Sequence, residues 1–299
     1  MQGHNESKPH CSRWTRRGLL KAAGLGAFAR ALPRRLAAAS SRPIPVALQL
    51  YSVRAECRKD FDSALGRVAQ MGVAGIEFAG YYQYEGRARE LKRKLDDLGL
   101  KAAGTHIGTS LIRGDALART IDFHQAVGCM FLIVPGDSAF TDPEKSQELA
   151  DVFNRAAEVL KPLGMACGYH NHMNEFKSEG EKTYWELFAE RTSRDVILQQ
   201  DCGWTAAAGL DPVDFIRKYP GRSRTVHLKP TVVGDDPGKK AILGQDSVDW
   251  PAVIEACASV GGTEWLVLEQ EQYPDGRTPV ECTELSLAGL KKILAGGGF

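Results

Sequence analysis

The 299-residue sequence has no pair of cysteines spaced C-x-x-C, no strong excess of charge of either sign, and no apolar run of transmembrane length. Each absence excludes something. Seven scattered cysteines (Cys11, Cys57, Cys129, Cys167, Cys202, Cys257 and Cys282) support neither a zinc knuckle nor a dithiol redox motif. Buried free thiols are the expectation for Cys129 and Cys167, which sit in or beside apolar strand-like runs, while a disulfide outside the cytoplasm stays open. No G-x-G-x-x-G follows the first apolar run, which weakens the case for a dinucleotide-binding open sheet. With 38 basic and 37 acidic residues, the chain has no overall basic character to suggest a nucleic-acid phosphate footprint.

Charge is unevenly placed. Residues 1–39 hold eight of the basic residues and one acid, Glu6, so the remainder carries 30 basic and 36 acidic residues, near −6. Thr15-Arg16-Arg17-Gly18-Leu19-Leu20-Lys21 resembles the twin-arginine export consensus. Behind it lie a weakly apolar stretch, Ala22 to Leu32, and the small residues Ala37-Ala38-Ala39 before Ser40, which offer an A-x-A cleavage site. That stretch is too short for a stable membrane span. The expectation is a signal peptide over 1–39, read by the twin-arginine export machinery, and a periplasmic or secreted mature protein.

From Pro43 to residue 299 strand-like runs alternate with helix-like segments, without a linker. The strands are expected at Val46 to Leu50, Gly75 to Phe78, Lys101 to Thr105, Phe131 to Val134, Met165 to Tyr169, Val196 to Gln200, Arg224 to His227 and Leu266 to Leu268. Between them, Phe61-Ala64-Leu65-Val68-Ala69 and Leu149-Val152-Phe153-Ala156-Leu160-Leu163 repeat at helical spacing. Met71-Gly72, Leu98-Gly99, Val127-Gly128, Leu163-Gly164 and Val260-Gly261 put glycine where a left-handed helix cap is wanted. Eight such cycles in about 255 residues predict one (β/α)8 TIM barrel over 43–299.

Four apolar runs in the second half end in metal-ligand residue types. They reach His170-Asn171-His172, Asp201, His227 and Glu269. Parallel barrel strands bring such residues to one face, where two imidazoles and two carboxylates suit one divalent ion: Mn, Co, Zn, Fe or Mg. Each residue has a plainer reading: Asp201 as a turn cap before Gly203, Glu269 as a partner of Lys229, and a strand-end histidine as a satisfied structural group.

Several ordered motifs resemble the sugar phosphate isomerase/epimerase superfamily of xylose isomerase-like barrels, which includes inosose dehydratase and hydroxypyruvate isomerase. They are Leu48-Gln49-Leu50-Tyr51-Ser52-Val53-Arg54, Tyr169-His170-Asn171-His172 with Glu175-Phe176, Leu198-Gln199-Gln200-Asp201-Cys202-Gly203-Trp204, His227-Leu228-Lys229, Gly244-Gln245-Asp246-Ser247-Val248-Asp249-Trp250 and Leu266-Val267-Leu268-Glu269-Gln270-Glu271. The resemblance implies Asp201, His227 and Glu269 as metal ligands, with His170 where many relatives carry a glutamate. His172 is then a rival ligand or a free base. Catalytic roles fall to His170, His172, Glu269 and Lys229, and substrate contacts to Glu77, His106, Trp204 and Tyr51, with Tyr81 and Tyr82 as further pocket walls. The implied reaction takes a proton from a carbon next to a carbonyl, through an enediolate stabilised by the cation. A sugar isomerase or epimerase is the first expectation and a lyase or dehydratase on a keto-sugar the second, with an exported carbohydrate-binding barrel as the non-enzymatic reading. Thr231 to Leu243 reads as a mobile loop over the barrel mouth.

Overall fold

Alternation decides what each strand presents inward, because residues two apart share a face. Along the sixth strand Ile197, Gln199 and Asp201 lie on one face; along the seventh, Thr225 and His227. The computed structural model describes residues 43–297; the export-signal expectation falls on 1–39, outside the described residues. Eight parallel strands close on themselves in sequence order: β1 (Val46–Gln49), β2 (Gly75–Phe78), β3 (Lys101–His106), β4 (Phe131–Val134), β5 (Ala166–His170), β6 (Ile197–Asp201), β7 (Thr225–Leu228) and β8 (Trp265–Leu268). Closure is through Val46 opposite Leu266 and Leu48 opposite Leu268. All eight expected strands are present, shifted by no more than one residue at either end. Among the described residues one two-stranded hairpin, Ser178–Glu179 with Lys182–Thr183, lies outside the barrel.

Helices between the strands bury their apolar stripe on the outer barrel wall. Phe61–Gln70 buries Phe61, Ala64, Leu65 and Val68, and starts where the Asp60 side chain accepts the Ser63 backbone N–H. Gly128 and Gly164 close their helical segments with φ of 83° and 70°. After Trp250–Ala256 the left-handed residue is Gly262, φ 67°, and not the expected Gly261, because a π-helical turn over Cys257–Gly261 delays the cap by one residue. The six cysteines within the described residues are buried and unpaired.

Inside the barrel the lower layers are apolar: Ala47, Ala103 and Val267 pack with Trp265, and Phe131, Ile133, Ala166 and Ile197 form a second layer. Two residues further along the same strands the side chains turn polar, at Gln49, Gln199 and Glu269. The polar layer therefore rests on a packed floor and opens only toward the C-terminal face. Gly168 is required for this closure: a Cβ there would lie 2.4 Å from the Ile197 carbonyl oxygen of β6. Since backbone cannot yield as a side chain does, we expect Gly168→Ala to destabilise the fold by about 1–3 kcal/mol. Urea unfolding checks this, and an unchanged midpoint would contradict the close β5 to β6 approach.

The segment from Thr231 to Leu243, expected as a loop over the barrel mouth, is exposed over residues 233–240. Its backbone is irregular, but Ala241, Ile242 and Leu243 are buried, and Lys240 pairs with Asp275 at 2.6 Å. It is anchored beside the loop that follows β8.

Candidate active site

His170 ends β5, Asp201 ends β6, His227 is the penultimate residue of β7, and Glu269 follows β8. Strand alternation turns all four toward the barrel interior. One ligand-type atom from each lies within 4.8 Å of the others, and all four residues are buried. A second overlapping group, His106, His170 and His227, also converges, but it offers no carboxylate.

Asp201 tests whether a cation fits the four-residue cluster. Its Oδ1 accepts the Trp204 backbone N–H at 2.8 Å, so the turn-capping reading is correct for that oxygen. Its Oδ2 is buried without a hydrogen-bond partner, 3.7 Å from His170 Nε2 and 4.0 Å from His227 Nδ1. An orphaned carboxylate oxygen among imidazole nitrogens and a second carboxylate is a donor set that a divalent ion completes. His170, Asp201, His227 and Glu269 would hold it.

Charge is finely divided in this cluster. Burial, partly offset by Lys229, pushes the Asp201 carboxyl up to about 7. Burial works against the Glu269 charge too, yet Lys229 and His227 outweigh it and hold that group at about 2. His227 is likewise opposed by burial, but Glu77 and Glu269 on either side raise it to about 10, so the metal-free ring is an imidazolium. His170 goes the other way: burial and the neighbouring imidazoles keep it neutral.

These shifts give stability a pH dependence. Asp201 and His227 both titrate higher in the folded chain, so their protonated forms favour folding, and that contribution is lost as pH rises through about 7 and about 10. We expect the chelated protein to melt at progressively lower temperature from pH 6 to pH 9. Added divalent metal should raise the melting temperature more at pH 8 than at pH 6. Thermal unfolding with and without chelator checks this; a chelated protein that gains stability over that window would contradict it.

Above the cluster opens a cavity of about 470 Å³, a size suited to a small ligand, lined among others by Tyr51, His106, His170, His172, Lys229, Glu269 and Glu271. His172 is half-buried, its ring against those of His170 and Trp204 at 5.0 and 5.6 Å. Burial and then Lys229 lower it to about 4, so it is neutral at pH 7. The Lys229 ammonium lies 4.5 Å from the centre of the Trp204 ring, 3.5 Å from Glu269 and against Glu271. The pairing of Glu269 with Lys229 read from the sequence is therefore present alongside the cluster. Tyr51 is at the rim with the Arg54 guanidinium over its ring.

A family model for the xylose isomerase-like TIM barrel matches residues 65–293. The chain belongs to the xylose isomerase-like TIM barrel family. Within that family it resembles an inosose dehydratase of Clostridium tetani, 29% identical over 260 residues, 74% of this chain and 85% of that protein. It also resembles the rhizopine catabolism protein MocC of Rhizobium meliloti, 25% identical over 273 residues, 80% of this chain and 83% of that one. Among solved xylose isomerase-like barrels, a sugar phosphate isomerase/epimerase from Parabacteroides distasonis superposes with a TM-score of 0.69 and 25% identity, over 84% of this chain and 97% of that chain.

Three residues are placed differently from the expectation. Glu77, expected at the substrate, is fully buried in β2, bonded to His227, Gln49 and Gln199, and is not among the residues that line the cavity. The Tyr81 hydroxyl turns to Thr105 and His124, and Tyr82 packs on Phe61 with ring centres 4.7 Å apart. Of the three early-loop tyrosines, Tyr51 alone is among the residues lining the cavity. Two residues the motifs left unassigned belong to the site: Gln199, which bonds both His170 and His106, and Glu271, which holds Lys229. Both stand two residues from a candidate ligand, and alternation was the signal that could have found them.

Proposed function

We propose that this barrel is a divalent-metal-dependent lyase that removes the proton next to the ketone of a keto-sugar and expels the substituent on the following carbon. A 3-keto-glycoside or an inosose-type ketone has the required arrangement. The observation that carries this reading is that one cavity presents two groups of opposite proton character, the neutral imidazole of His172 and the ammonium of Lys229. Elimination needs that pair: a base for the C–H proton and an acid for the departing oxygen.

His172 accepts the proton from carbon. The electron pair forms a C=C bond conjugated with the ketone as the bond to the leaving oxygen breaks, and a Lys229 N–H supplies the proton to that oxygen. Glu269 and Glu271 keep Lys229 charged until then, against the penalty of burial. His170, Asp201, His227 and Glu269 would hold the cation, which would supply positive charge to offset the negative charge that develops on the ketone oxygen. His106 and Tyr51 wall the sugar, and the Trp204 ring fixes Lys229 and His172 beside it. The dehydratase names of curated relatives support this ordering, which reverses the first and second expectations from the sequence.

A sugar isomerase or epimerase is the second reading, favoured by the Parabacteroides structure and by Glu269. That carboxylate reaches the same cavity and stays ionised, so it can return a proton to the opposite face of the sugar. Product masses separate the two. Incubation of the metal-loaded protein with 3-keto-glycosides and with free ketoses should release an aglycone or water from the first panel. A product of unchanged mass and altered configuration would instead give the isomerase reading. The twin-arginine-like motif supports an exported protein with access to such sugars outside the cytoplasm.

A further inference from the structure

Both histidine ligands have two nitrogens, and an ion can be bound only through the one that carries no proton. Which nitrogen that is depends on what the other one touches. Gln199 Nε2 donates to Glu77 Oε1 and to Thr225 Oγ1, each at 2.8 Å. The Gln199 amide oxygen must therefore point the other way, where His170 Nδ1 and His106 Nε2 lie at 3.0 and 2.9 Å. An amide oxygen only accepts, so His170 carries its proton on Nδ1 and leaves Nε2 toward Asp201. Glu77 Oε2 meets His227 Nε2 at 2.5 Å and, being an acceptor, keeps a proton there, so Nδ1, which lies 3.1 Å from Glu269 and 4.0 Å from Asp201, is the nitrogen that gives up its proton to an ion. Gln49 Nε2 adds a donor to the same oxygen at 2.8 Å.

We infer that Glu77 and Gln199 are positioning residues that set which nitrogen of His170 and of His227 is offered to the metal. One carboxylate on β2 thereby orients the ligand on β7 directly and the ligand on β5 through a single amide on β6. Room for it depends on β3, where a Cβ at Gly104 would stand 2.8 Å from Glu77 Oε1. The inference rests on reading the four-residue cluster as a divalent-metal site, and is independent of the reaction run there.

Glu77→Gln keeps the shape of the side chain and replaces one of its oxygens by a donor. Either orientation of the new amide then leaves a donor facing Gln199 Nε2 or His227 Nε2. Relief requires Gln199 to turn its own NH2 toward His170, which pushes the His170 proton onto Nε2. Mn and Zn affinity, measured by chelator competition, should fall about 10- to 100-fold, the range seen when outer-layer partners of metal ligands are lost. Adding Gln199→Glu to Glu77→Gln exchanges carboxylate and amide across the pair, restores an acceptor for both rings, and should recover most of that affinity. A purely structural role would shift only the melting temperature of the metal-free protein. Affinity within threefold of wild type in Glu77→Gln, or no recovery in the double variant, would overturn the inference. Should Glu77→Gln fail to fold, long-range 15N–1H correlation on metal-free wild type decides instead: the His170 proton on Nδ1 supports it, and on Nε2 refutes it. A wild type that binds neither ion would sink the metal-site reading itself, a distinct outcome.

Discussion

Asp201→Asn is expected to yield a folded protein that retains no stoichiometric divalent ion after dialysis and turns over at roughly one-thousandth of the wild-type rate or less, about 4 kcal/mol of lost transition-state stabilisation. The substitution separates the two duties of this side chain. Asparagine keeps an oxygen to accept the Trp204 N–H, so the start of the Cys202–Ala207 helix is preserved. It removes the charge from Oδ2, the oxygen with no hydrogen-bond partner. Burial, joined by the nearby Glu269 carboxylate, outweighs Lys229 and disfavours that charge in the metal-free chain, so the variant should melt no lower than chelated wild type above pH 7. Elemental analysis, a turnover assay and a melting curve on one preparation check all three. Full metal content in the variant would remove Asp201 from the ligand set.

His172→Ala is expected to retain one divalent ion per chain and lose roughly 10²- to 10⁴-fold in kcat, the range for removing a positioned general base. The comparison decides between the two roles open to this residue. Its neighbour His170 is enclosed, with Nε2 directed at Asp201, whereas His172 is half-buried against the cavity with its ring tilted against that of Trp204. Loss of the ion together with activity would instead make His172 a ligand. Because burial and Lys229 lower this imidazole to about 4, the acid limb of the wild-type rate profile should not be that of an ordinary histidine. Moving the limb upward by replacing Lys229 with an uncharged residue would be the matching signature.

The strands and the four candidate ligands were legible in the sequence for the same reason. Each is a short apolar run in which period-two alternation continues into a polar residue, so Ile197, Gln199 and Asp201 announce both a strand and the face it turns inward. What sequence could not give was partnership across the barrel. Glu77 stands at a strand end like the ligands and reads as a sugar-binding residue. Only closure of the sheet brings it under His227, 150 residues away. Gln199 is one of two adjacent glutamines, and the register that sets it beside His170 distinguishes it from Gln200. The shift from Gly261 to Gly262 has a local cause, since a π turn breaks the 3.6-residue count on which cap placement rests.

The central claim is that this site removes a proton from the carbon next to a ketone. Proton NMR in D2O, with metal-loaded wild type and a 3-keto-glycoside, tests it most directly. The account predicts that the C2 proton signal is lost in step with release of the aglycone, and that Asp201→Asn and His172→Ala suppress both. Release of the aglycone with the C2 proton retained in the sugar product, or an unchanged C2 signal with every carbonyl sugar offered, would contradict it.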